Sequence, residues 1–73
     1  MNTPPKSFTL RDAGGVVVVE RENAYSLSVT RSGQETAWCN QTEGVLRVTG
    51  GVVSPKLLRR IQAKCDTLSF FGW

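Results

Sequence analysis

Lys56, Arg60 and Lys64 recur at i, i+4 and i+8, with Arg59 beside them. On a helix this spacing stacks three cations in one row. Such a row attracts an acidic protein surface, a phosphate chain or another anion. The remaining chemistry-bearing residues are sparse. The chain has no histidine, which removes the commonest general base and the commonest zinc ligand. Its two cysteines, Cys39 and Cys65, form no CxxC pair, and both read as small buried hydrophobes. A serine nucleophile would find no imidazole base. Glu20 and Glu22 share one face of an expected strand, whereas a catalytic carboxylate pair needs a cleft. Gly50 and Gly51 precede a helix, but their context, Thr49-Gly50-Gly51-Val52-Val53-Ser54-Pro55-Lys56, matches neither GxxxxGK[ST] nor GxGxxG. These residues predict a non-enzyme with no catalytic group, cofactor or metal.

The charge is unevenly placed. Nine Lys and Arg stand against six Asp and Glu, a net +3. Up to Val53 the two signs cancel. The whole excess lies in residues 54–73, where Lys56, Arg59, Arg60 and Lys64 face only Asp66. The aromatics are uneven too, with Phe70, Phe71 and Trp73 clustered at the C-terminus. Either these rings fold back to seal the core, or at least one stands out as an anchor for a partner or a second copy.

The elements that must position these groups follow from periodicity. Phe8-Thr9-Leu10 is a candidate short edge strand, and Arg11–Gly15 is a turn. Val16–Val19 opens a strand because four β-branched residues disfavour helix. Tyr25, Leu27 and Val29 alternate with Ser26, Ser28 and Thr30, the period of a half-buried strand. Ser32-Gly33 reads as a two-residue hairpin turn. That register places Leu27 opposite Trp38 and turns Trp38 inward. A three-residue loop would instead bury Ala37 and Cys39 and expose Trp38. The first is preferred because it buries the larger side chain. Val45–Val48 reads as a strand, with one helical turn capped by Thr42 as the alternative. Ser54 as N-cap and Pro55 as first residue start a helix. Leu57, Leu58, Ile61, Cys65 and Leu68 gather on its one side and Lys56, Arg59 and Arg60 on the other, with Lys64 at the boundary.

The expected fold is α+β: a three- or four-stranded antiparallel β-meander with one C-terminal α-helix packed on one face. The expected organisation is one domain, with an irregular N-terminal arm (1–7), a β-meander (8–50), an amphipathic helix (54–68) and an aromatic tail (69–73). No apolar run approaches the roughly 18 residues of a membrane span. The polar start has no apolar h-region, so a cytoplasmic protein with reduced thiols is expected.

In size and style, through no shared motif, this profile resembles small phage or mobile-element proteins that bind and block a host machine. Anti-CRISPR and other anti-defence proteins are examples, and the resemblance implies an inhibitor. The residues themselves point to a protein-binding module acting by occupying a partner's surface. The expected contact residues are Lys56, Arg59, Arg60, Lys64, Trp38, Phe70, Phe71 and Trp73, and the expected partner is a larger protein or ribonucleoprotein with an acidic surface. One alternative is a small nucleic-acid-binding module using the basic helix face. Another is a homo-oligomeric subunit assembled through the tail. No membrane partner is expected.

Overall fold

The valine run of residues 16–19 lies in the longest strand, as β-branching dictates, and the chain meanders outward from it on both sides. The computed structural model describes residues 5–71, so Trp73 and residues 1–4 of the expected arm lie outside the described residues. The elements are β1 (Ser7–Asp12), β2 (Gly15–Asn23), β3 (Ser26–Arg31), β4 (Ala37–Thr42), β5 (Val45–Gly50) and α1 (Pro55–Leu68). The five strands form one antiparallel sheet in sequence order. The expected class is therefore correct, with a fuller sheet. Phe8-Thr9-Leu10 belongs to a six-residue strand that begins at Ser7. Val45–Val48 is strand, not a helical turn.

The added strand has a local cause. At the β1–β2 turn the Gly14 N–H donates to Asp12 Oδ1 at 2.8 Å, a side-chain mimic of a backbone turn. The Arg31 guanidinium, at the end of β3, donates to both oxygens of the same carboxylate, each at 2.6 Å. Gly14 leaves room for that guanidinium, because a Cβ there would meet Arg31 Nη1. The Arg31 hydrogen bonds hold the Asp12 carboxyl at a pKa of about 2, below its ordinary 3.8. A carboxyl whose pKa falls on folding stabilises the fold above its unfolded pKa. That contribution is lost as pH drops through the folded value. Thermal melts of the wild type should therefore fall between about pH 4 and pH 2, and Asp12→Asn should flatten that limb. Equal slopes for the two proteins would show that the pair does not couple to folding.

One sheet face carries the core. Phe8, Val17, Val19, Leu27, Val29, Ala37, Cys39 and Leu46 are buried against Leu57, Ile61 and Cys65 of α1. The helix begins as expected: Ser54 Oγ accepts the Leu57 N–H at 3.2 Å, and Val53 and Leu58 both pack on the core. It also guards an edge. Leu46 N–H of the edge strand β5 donates to Gln62 Oε1 at 2.7 Å, which removes one unpaired donor from the edge.

Two expectations about the hairpins are corrected. Tyr25 lies in the β2–β3 turn, where its N–H donates to Asn23 Oδ1 at 3.0 Å. Its ring is exposed and does not share the inner face with Leu27. In the β3–β4 hairpin the register is Leu27 opposite Cys39 and Val29 opposite Ala37, so the two-residue-loop register is wrong. Ala37 and Cys39 point inward, and Trp38 points out. The chain leaving β5 runs close beside the start of β4, where Trp38 pairs with Gly50. A Cβ on Gly51 would lie 2.8 Å from Ala37 Cα, and both Ala37 and Cys39 are buried in the core.

Candidate functional site

The sequence set Lys56, Arg59, Arg60, Lys64, Trp38, Phe70, Phe71 and Trp73 divides into three groups. The first is the helix ridge. With Leu57, Ile61 and Cys65 buried, the 100° step per residue leaves Lys56, Arg59, Arg60 and Lys64 exposed on the solvent side. Among the described residues, none of the four side chains makes a hydrogen bond or ion pair. Two arginines of the sheet contrast with them. Arg31 holds Asp12, while Arg21 donates to the Phe70 carbonyl at 2.7 Å and lies 5.8 Å from the centre of its ring. The one acidic helix residue, Asp66, accepts from Gln62 Nε2 at 3.2 Å.

The second group is the tail, and here the structure decides between the two open readings. Ser69 adopts a left-handed conformation, φ 49°. The Phe70 N–H reaches back to the Cys65 carbonyl at 2.9 Å, a helix-ending motif in which serine takes the place usually held by glycine. This reversal drives both phenylalanines under the sheet. Phe70 is fully buried, edge-on to Phe8 at 4.9 Å and to Phe71 at 5.5 Å. Phe70 and Phe71 are thus core residues and present no ring to a partner, which corrects their place in the expected contact set. Trp73 lies outside the described residues.

The third group is Trp38 alone. It is 44% exposed on the sheet face away from the helix. Its indole lies over Gly50, where a Cβ would fall 3.3 Å from Trp38 Cδ1. The ring therefore covers the bare backbone of a glycine in the neighbouring strand. The sheet stands between Trp38 and the basic ridge, so one flat partner surface cannot engage both.

Sequence reasoning missed a cleft beside the ridge. About 600 Å³ of open space lies between the first two turns of α1, the segment 52–54, the β1–β2 turn and the β3–β4 loop. Lys56 and Arg60 border it, whereas Arg59 borders a smaller groove beside β5. No motif announces the cleft, because it is formed by three stretches, 12–14, 29–37 and 52–60, distant in sequence. Both thiols are buried and unpaired with each other. Burial raises the pKa of Cys39, and burial, followed by the charges of Asp66 and Cys39, pushes Cys65 up to about 12. Among the described residues no group of three or more His, Cys, Asp or Glu could hold a metal ion. Among the described residues no helix is long and apolar enough to cross a membrane. No family model matches this chain, and neither a curated protein nor a solved structure is similar to it.

Proposed function

We propose that this protein is a non-enzymatic binding module that occupies an acidic surface of a larger protein or ribonucleoprotein through the solvent face of α1. The supporting observation is the set of four exposed helix cations, none held by an ion pair or a hydrogen bond among the described residues. Cations already committed to structural pairs cannot serve a partner, and these four are uncommitted. Charge complementarity of this kind mainly accelerates encounter. Obstruction of a host machine, the inhibitor role implied by small phage proteins of this style, is one use of such occupancy.

The competing assignment is nucleic acid, and a titration with labelled mixed-sequence DNA and RNA at low and moderate salt separates the two. Four phosphate contacts would give a log–log salt slope of about 3–4. Tight binding with that slope would replace the protein-surface reading. Absence of binding at low salt is the expected result. In the protein-surface reading, Arg59→Glu with Arg60→Glu slows association with a captured partner at least tenfold. The same change shifts stability by no more than about 0.5 kcal/mol, as for surface substitutions generally. Full affinity in the double reversal would remove the ridge from the site.

A further inference from the structure

We infer that the cleft beside Lys56 and Arg60 receives an apolar side chain from an acidic linear segment of the partner. This inference rests on the binding-module reading and names the chemistry of its anchor. Three observations carry it. The cleft is lined on its apolar side by Val29, Ala37, Val53 and Leu57, all of them in or packed on the core. At its border Val52 is 92% exposed, an aliphatic side chain held almost wholly in water between two ordered elements. On the helix side stand two cations, Lys56 and Arg60, neither in an ion pair.

The charge pattern selects the occupant. Asp12 also borders the cleft, but both its oxygens are taken by Arg31, so that pair is neutral within itself. The remaining charged groups are Lys56 and Arg60 against Glu35, a net positive rim around an apolar patch. A segment with carboxylates flanking one Leu, Ile, Phe or Trp meets both features at once. Burial of such a side chain contributes through lost apolar surface, and its flanking acids reach the cations. A nucleic acid strand fits poorly. No aromatic ring lines the cleft to stack a base, and Glu35 would repel a phosphate chain.

The test uses the full chain as bait for a phage-displayed random heptapeptide library, followed by NMR of the ¹⁵N-labelled protein with the synthesised consensus peptide. The expected consensus carries Asp or Glu on both sides of one large apolar residue. That peptide should shift the amides of Ala37, Val52, Val53 and Leu57. Changing its apolar residue to Ala should weaken binding at least tenfold, and Val52→Ser in the protein should weaken it several-fold. Glu35→Gln should tighten it. Both substitutions are on exposed side chains, so folding is not at risk. An acidic consensus with no apolar requirement, shifting only helix amides near Arg59 and Lys64, would overturn the cleft and leave the ridge reading standing. Neutral or basic peptides, or no enrichment, would overturn the cleft assignment. The ridge is then judged by its own charge reversal.

Discussion

Phe70→Ala is expected to leave the protein largely unfolded at room temperature. Truncating a buried phenylalanine costs about 3–5 kcal/mol. A core of this size seldom supplies more than about 3–5 kcal/mol of net stability. Phe70 is fully buried and contacts Phe8 and Phe71 edge-on. Its carbonyl also accepts from Arg21, a residue of β2, so the ring and the backbone both tie the C-terminal end to the sheet. Urea unfolding followed by circular dichroism measures the effect. Tyr25→Ala is the matched control, because that ring stands exposed in a turn and its loss should cost no more than about 0.5 kcal/mol. A native-like midpoint for Phe70→Ala would mean that the ring does not belong to the core and that the tail is available to a partner after all.

Gly51→Ala is expected to be the second most damaging change, although it adds one methyl group on the surface. Two costs combine. Gly51 has φ 73°, and a non-glycine residue in the left-handed region costs about 1–2 kcal/mol. The added Cβ would also lie 2.8 Å from Ala37 Cα and 3.2 Å from the Thr36 carbonyl oxygen. These are backbone atoms that cannot rotate away, and relief of such overpacking costs about 1–3 kcal/mol more. Gly33→Ala isolates the first cost. Gly33 has φ 77° but open space around its Cβ position. The difference between the two melts therefore reports the close approach of Gly51 to Ala37 of β4. Equal destabilisation by the two substitutions would show that Gly51 does not pack tightly against the start of β4.

Local signals and tertiary packing divided the structure between them. The helix was legible because its determinants are adjacent. Ser54 and Pro55 start it, the 3.6-residue period of Leu57, Ile61 and Cys65 orients it, and the four cations are left outside. The strand of four valines was legible for the same reason. The side on which Trp38 lies was not. It depends on a hairpin register one residue away from the alternative, and size alone argued for the wrong one. What fixes it is the pairing of β4 with both its neighbours, Leu27 opposite Cys39 on one side and Gly50 opposite Trp38 on the other, so the indole lies over a glycine distant in sequence. The tail was undecided in sequence because its burial depends on one left-handed serine at the helix end and on the space beneath β1 and β2 that Phe70 fills. The cleft left no trace in the sequence, since no single segment contains more than part of its wall. Sequence alone determined the helix and its charged face, because these follow from neighbours along the chain. Only the tertiary structure decided which aromatics are core and where a partner's side chain can enter, because those depend on which distant backbones come within van der Waals contact.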